Sequence, residues 1–471
     1  MKGKQMCLTF GKKLLLIPVL LTLAACATVG RDYRQPQLGG ELPAAWHSSV
    51  GGKLADLNAW WGSFSDPALS ALLAAAQSDN PTLAKAAAAI EKARASRASA
   101  QAGYSPTLDA SASAGGSGYL KNGTGTSRRA SVGLDASWEL DLFGKNRRAV
   151  ESAEALAQAS VADWHDARVS LAAEVATCYV DYRAGRLQQK YYEEQADSQS
   201  KTSDLTALSA KAGFTAPADA RLAEASAAST RSTALAQKVE CEVLVKSLVA
   251  LTGLQEPDLR KLLGDGTPNL PQPAGLLVTS VPANLLRQRP DVASAERSLA
   301  SSSALIGVAE AARYPSFTLS GSLSLSAASG SALQAPWSFG PAVTLPLFDG
   351  GKIDAGIKSA RADYDASLAV YRQTVRTAVK EVEQALVRLD SMAQREQEAQ
   401  KSADGYRYYL AASEENWRVG RGNLLDLETS RRSAISAQVS LLELQQNRLN
   451  YWIALYKAMG GGWNADKGEA K

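Results

Sequence analysis

Few side chains in this 471-residue sequence could carry chemistry. There are two histidines: His47 lies in an irregular N-terminal stretch and His165 in a charged helical one. Neither has a ligand or base partner at a useful spacing, and both read as surface residues. Serine is abundant, yet no Gly-x-Ser-x-Gly turn sets one up as a nucleophile. The glycine-rich run 115–125 lacks the strand-glycine-helix setting of a phosphate loop and reads as a hairpin loop. Neither catalysis nor a metal centre is expected. Of four cysteines, Cys178 and Cys241 sit in Ala-rich helical text without metal-ligand spacing, and read as small packing residues rather than a disulfide framework. Cys7 lies in a leader: Lys2, Lys4, Lys12 and Lys13 precede the apolar run Leu14 to Leu23, too short to span a bilayer. Leu23-Ala24-Ala25 then leads into Cys26. That order describes a secretory signal, residues 1–25, with a thiol at its cleavage point.

The Leu-Ala-Ala-Cys motif resembles the lipobox of bacterial lipoproteins. The resemblance implies that Cys26 carries a covalent lipid after cleavage, the one attached group expected, with no other cofactor. No Asp follows Cys26, which in such families implies export to the outer membrane. Cleavage removes four lysines and no acids, so the basic total falls from 51 to 47, against 47 acids. A chain of near-zero net charge gives no basis for nucleic-acid binding. After the signal no run of 18 or more apolar residues remains, so any membrane crossing must be made by strands.

The elements that would make that crossing occur twice, about 207 residues apart. Pro81 and Pro290, Phe143 and Phe348, Gly213 and Gly420, and Gly253 and Gly460 mark the repeat. Each copy reads helix, strand, Gly/Ser-rich loop, strand, very long helix, tight turn, helix. The expected boundaries are a lipidated N-terminal segment 26–68, a first repeat 69–254 with strands over about 106–142, and a Pro/Gly-rich link 255–282. A second repeat 283–463, with strands over about 316–348, and a tail 464–471 complete the chain. Leu108, Ala110, Ala112 and Ala114, then Val132, Leu134, Ala136, Trp138 and Leu140, alternate with polar residues. Phe317, Leu319, Leu323 and Leu325, then Trp337, Phe339, Val343, Leu345 and Leu347, do the same. Period two means one apolar and one polar face. Strands of a dozen residues, tilted, match a bilayer; a soluble sandwich alternates in the same way, but lipidation and the helical remainder favour the membrane. Four strands leave two open edges that lipid cannot satisfy, so several chains must share one barrel. From Lys145 to Ala212 and from Lys352 to Val419 run two helices of unusual length. The second has an apolar spine at steps of three and four through Ile357, Tyr371, Val375, Val382 and Leu386. Gly213 and Gly420 read as left-handed caps, and Thr215 and Asn423 as N-caps of the returning helices.

In order along the chain stand Trp60-Trp61 with Phe64, Trp138-Glu139-Leu140-Asp141-Leu142-Phe143-Gly144, and Arg287-Gln288-Arg289-Pro290-Asp291. Pro346-Leu347-Phe348-Asp349-Gly350-Gly351 and Leu455 to Trp463 follow. With these landmarks the chain resembles the TolC-like outer membrane factors, specifically the NodT-type lipoproteins of tripartite efflux systems. The resemblance covers nearly the whole mature chain. It implies an internally duplicated α+β membrane protein, a homotrimer whose chains give four strands each to a 12-stranded barrel continued by a long α-helical periplasmic barrel. It also implies an outer-membrane location, a lipid anchor, and two protein partners, a periplasmic membrane-fusion adaptor and an inner-membrane pump. The channel itself would conduct drugs or other small solutes passively. Protein secretion, or a non-conducting periplasmic scaffold, are the alternative readings.

The same resemblance places a gate at the second glycine turn. Leu424 and Glu428 match the family's constriction residues and Arg431 its latch, while Gly213, Gly420 and Asn423 belong to the turns at the periplasmic tip. Spaced four and three apart, residues 424, 428 and 431 share one helical face. Facing a threefold axis, that face would present rings of Leu and Glu. Glu428 replaces the family's usual Asp, and Asn416 and Trp417 stand where relatives often have Arg and Tyr. The plainer alternatives are that Leu424 packs the helical hairpin, Asp426 closes a capping box with Asn423, and Glu428–Arg431 is an exposed helix pair.

Overall fold

Prolines and glycines punctuate the chain, and the elements begin and end at them. The computed structural model describes residues 28–36, 57–118, 126–264, 269–271, 286 and 289–463. The signal segment, Cys26, Trp46, His47, Arg287, Gln288, much of the link and the tail beyond 463 lie outside the described residues. A 3-10 helix, Leu57–Phe64, precedes α1 (Pro67–Ser78) and α2 (Pro81–Ala102). Strands β1 (Thr107–Ser117) and β2 (Ser127–Leu140) follow, then α3 (Lys145–Lys211), α4 (Pro217–Thr252) and the short α5 (Glu256–Leu263). After the link come α6 (Pro290–Ala311), β3 (Ser316–Ala328), β4 (Trp337–Thr344), α7 (Lys352–Arg418) and α8 (Leu424–Ala458). Both long helices have 67 residues. Among the described residues no helix is long and apolar enough to cross a membrane.

Local chemistry explains the breaks. Asp66 caps α1 by accepting from Ala68 N at 2.9 Å and Leu69 N at 3.2 Å. Its second oxygen accepts from Tyr179 Oη at 2.7 Å, fastening the cap to α3. Asn80 does the same for α2: its Oδ1 accepts from Thr82 N at 2.9 Å and its amide donates to Leu251 O at 3.0 Å. Pro81 at the first turn then costs no helical hydrogen bond. Two expectations need correction. Thr215 is not the cap of α4; Ala216 is, without a side-chain bond, because Pro217 starts the helix, and the Thr215 hydroxyl instead pairs with Ser209 Oγ at 2.6 Å. The last strand ends at Thr344 rather than near 348, because Pro346 has no N–H for a ladder, and Leu347 and Phe348 are left exposed.

Contacts sort the chain into two units, each drawing on both copies of the repeat rather than dividing between them. The first takes described residues from 1–37, 88–162 and 294–373. It holds one antiparallel sheet in the order β1-β2-β3-β4, with an unbroken register and no bulge. The second takes 38–87, 163–293 and 374–471, and its core is helical. There Tyr179, Val175, Leu248, Val382, Leu386 and Leu455 are fully or almost fully buried. Trp60 and Trp61 pack against Tyr456 with ring centroids 5.6 and 4.7 Å apart.

Candidate functional site

The sheet of the first unit has two uncovered faces. The register puts Leu108, Val132, Leu134, Trp138, Leu319, Leu323, Leu325, Trp337, Phe339 and Val343 on one face. Most of them are exposed, Val132 by 60%, Trp337 by 76% and Phe339 by 69%. An apolar surface of this extent in a water-soluble chain would be covered by a second layer. Here nothing of the described chain covers it. Strands β1 and β4 are also open at the sheet's edges.

The opposite face is mostly polar, with serines interspersed with Gly and Ala. Ser113 and Ser131 hydroxyls meet at 2.8 Å, as do Ser322 and Ser338. Asp109 of β1 lies directly across from Asp135 of β2 on this face. Like charges placed opposite one another destabilise a sheet, so the pair is a feature that folding alone would not select. Glu139 adds a third acid and Arg129 stands nearer the hairpin end. Sequence alternation marks both aspartates as polar-face residues, but only the register brings them together.

The helices that flank the strands join the sheet at one end. There Trp138 Nε1 donates to Tyr104 O at 2.9 Å, and Phe143 stacks on Tyr314 at 4.9 Å. This is also where the chain after Cys26 is fastened. Val29 N donates to Phe143 O at 3.0 Å. The buried Arg148 donates to Val29 O at 3.1 Å, Gly30 O at 3.0 Å and Asp32 Oδ1 at 2.9 Å. Gly30, at φ 88°, crosses Gly307 so closely that a Cβ there would stand 2.7 Å from the Gly307 Cα. Tyr33 Oη donates to Glu296 at 2.7 Å. Cys26 lies outside the described residues, but the strap that follows it is held at this end of the sheet.

The two glycine turns belong to the second unit. Gly213 (φ 79°) and Gly420 (φ 75°) adopt the left-handed conformation that spares a Cβ clash. Gly420 N donates to Trp417 O at 3.0 Å, and Arg421 N and Gly422 N both donate to Asn416 O. Asn423 caps α8, accepting from Asp426 N at 2.7 Å, while its own amide donates to Asp426 Oδ2 at 2.7 Å. The reciprocal bond is thus side chain to side chain, not the backbone half of a capping box.

Leu424, Glu428 and Arg431 do share one face, but that face is turned into the chain. They are 9%, 6% and 6% exposed. Glu428 and Arg431 are thus not an exposed helix pair; within the chain the face is covered, and Arg431 on it reaches both α3 and α7. Exposed at the turn are Val419 and Leu425. Arg431 Nη1 donates to Thr202 Oγ1 of α3 at 2.6 Å and to Glu428 Oε1 at 3.3 Å. Its Nη2 reaches Glu414 Oε1 of α7 at 3.3 Å. One guanidinium thus ties three helices. Burial pushes the Glu428 carboxyl above its ordinary value, while the Gln199 amide, Arg431 and Arg432 pull it back.

Among the remaining candidates, Cys178 and Cys241 are buried free thiols in helices. His165 is half-buried rather than fully at the surface: its Nδ1 is buried without a hydrogen-bond partner among the described residues, and its ring lies 4.9 Å from Trp164 and 5.4 Å from Trp463. Burial, with Arg168 nearby, pushes it down to about 4, so it is neutral at physiological pH. A charged-looking helical sequence hid it, because its cover includes Trp463 from the far end of the chain.

The sequence matches the family model described as outer membrane efflux protein over residues 72–254 and 281–461. Nodulation protein T of Rhizobium leguminosarum bv. viciae is 31% identical over 459 residues, covering 95% of this chain and 93% of that protein. The solvent efflux pump outer membrane protein SrpC of Pseudomonas putida is 30% identical over 472 residues, covering 95% of this chain and 98% of that protein. Among solved structures, the outer-membrane channel OprN superposes with a TM-score of 0.81 at 32% identity, covering 93% of this chain and 100% of that one.

Proposed function

Because this chain belongs to the outer membrane efflux protein family, we propose that three copies form one outer-membrane channel that passes small solutes outward without doing chemistry on them. Each copy gives four strands to a 12-stranded barrel and its long helices to a tunnel below. The observation that carries this reading is the sheet with two open edges and an uncovered apolar face. Lipid satisfies the face, and neighbouring copies satisfy the edges. β2 has 14 residues, about 46 Å of strand, or about 33 Å along the membrane normal when tilted by 45°. A periplasmic adaptor and an inner-membrane pump are the partners that such an efflux channel requires. The named solvent efflux relative supports small apolar solutes as the cargo class. Cys26 carries the lipid, and the strap held by Arg148 keeps that anchor beside the barrel.

In the barrel, Asp109 and Asp135 of three chains form one acidic belt in the lumen. In the closed state, the buried Glu428–Arg431 pair holds the turn after Gly420, with Leu424 packed beneath it. The purified mature chain is expected to run as a trimer in detergent and to conduct in planar bilayers. A water-soluble monomer would sink the proposal. In the same bilayers, Asp109→Asn with Asp135→Asn is expected to lower the cation-over-anion permeability ratio by roughly twofold. An unchanged ratio would remove the belt from the conducting path.

A further inference from the structure

We propose that Arg128 is a headgroup site for an anionic, phosphate-bearing lipid of the leaflet at the hairpin end of the barrel. The inference rests on the channel reading and adds a lipid contact to it.

The register decides which way Arg128 faces. β1 and β2 pair without a bulge from Thr107↔Ser137 to Ser117↔Ser127, so position 128 stands opposite Gly116. It therefore shares the face of Ala130, Val132, Leu134, Ala136 and Trp138, the face turned to lipid. On its other side its backbone is bonded to Ser329, accepting from Ser329 N at 2.8 Å and donating to Ser329 Oγ at 3.1 Å. These bonds fix the strand end but leave the guanidinium unused. Gly116 has no side chain to fold over it.

No carboxylate on this sheet can reach Arg128. Asp109, Asp135 and Glu139 all project from the opposite face. The residue is exposed, and among the described residues no acid pairs with it. A cation on a lipid-facing surface is strongly disfavoured at mid-bilayer and tolerated near an interface. Its height fits that rule. Arg128 lies ten residues along β2 from Trp138, which marks the helix end with Tyr104. Ten residues are about 33 Å of strand, or about 23 Å along the normal at 45°, against an apolar band about 25 Å tall. Trp138 and Arg128 thus bracket the band, with only Ala, Val and Leu between them on that face. A planar, permanently charged fork at the far interface matches the oxygens of a phosphate. Arg129, one residue on, points into the lumen, so the pleat separates a lipid-directed from a pore-directed arginine.

The test is native mass spectrometry of the detergent-solubilised trimer, titrated with dioleoylphosphatidylglycerol and, as neutral comparator, dioleoylphosphatidylcholine. The wild type is expected to retain the anionic lipid preferentially. Arg128→Gln is expected to weaken its apparent affinity about fivefold. Arg128→Lys should recover part of it, and Arg129→Gln should leave it unchanged. Equal retention of both lipids by the wild type, undiminished affinity in Arg128→Gln, or an equal loss in Arg129→Gln would overturn the site. Absence of a wild-type trimer would instead defeat the channel reading on which it stands.

Discussion

Replacing Arg431 with alanine is expected to raise single-channel conductance several-fold and to loosen the turn after Gly420. Arg431 is 6% exposed, and its guanidinium binds groups on α3, α7 and its own helix α8. Its partners differ in weight. Glu414 is 44% exposed, so that bond contributes little. Glu428 is buried, and deleting its cation leaves a carboxylate in the interior. Breaking a buried pair from one side costs about 3–5 kcal/mol, less where the orphaned acid can take up a proton. Glu428 can do so, because burial already holds its carboxyl above the ordinary value of 4.5. A buried acid with a raised pKa binds its proton more tightly in this arrangement than when exposed. The stability it contributes is therefore full below the ordinary value and is lost as pH rises through the raised one. Acidification should consequently favour the latched turn, and wild-type conductance should fall as the pH is lowered through the raised value of this carboxyl towards its ordinary one. Glu428→Gln, neutral at every pH, should hold the low conductance across that range and lose the pH dependence. Planar-bilayer recordings of the three proteins decide it; Arg431→Ala at wild-type conductance would strip this cluster of any role in closure.

The second large effect is expected at Arg289, as a loss of stability. Its side chain, 5% exposed, grips Asp291 with two bonds of 2.9 and 2.7 Å and Glu381 of α7 at 2.9 Å. Nη1 donates to Ala458 O at 2.9 Å, the carbonyl that ends α8. There the cation also meets the negative end of a helix dipole. Gly460 lets the chain pass, since a Cβ at that position would lie 3.1 Å from the Arg289 Cα. Arg289→Ala removes all of this at once; its acid partners, 29% and 41% exposed, are rehydrated rather than stranded, so about 1.5–3 kcal/mol is expected to go with it, mostly from the buried bonds of the guanidinium. Arg289→Lys keeps the charge but loses the fork, and should lie between. Arg94, paired to Glu91 across an exposed turn, is the comparison: Arg94→Ala should change stability by less than about 0.5 kcal/mol. Denaturant midpoints of the three variants in detergent measure the ordering. A midpoint for Arg289→Ala within that of Arg94→Ala would mean the buried arginine is not a junction at all.

Much of the architecture could be read from residues a few positions apart. Alternation along β2, Pro67, Pro81 and Pro290 at helix starts, Gly213 and Gly420 at left-handed caps, and Asn423 before α8 all act within about four residues. The chain's own neighbours are enough to determine such features, so the repeat of helix, hairpin, long helix and return was legible without coordinates. The tertiary structure decided everything that depends on a distant partner. It set Asp109 opposite Asp135, placed Trp463 over His165, and ended β4 before Pro346. It turned Leu424, Glu428 and Arg431 inward, because a helical face at spacing four and three is the same whether it meets a pore or another helix. Periodicity gives the face and its chemistry; only the packing of α3, α7 and α8 determines which way that face looks.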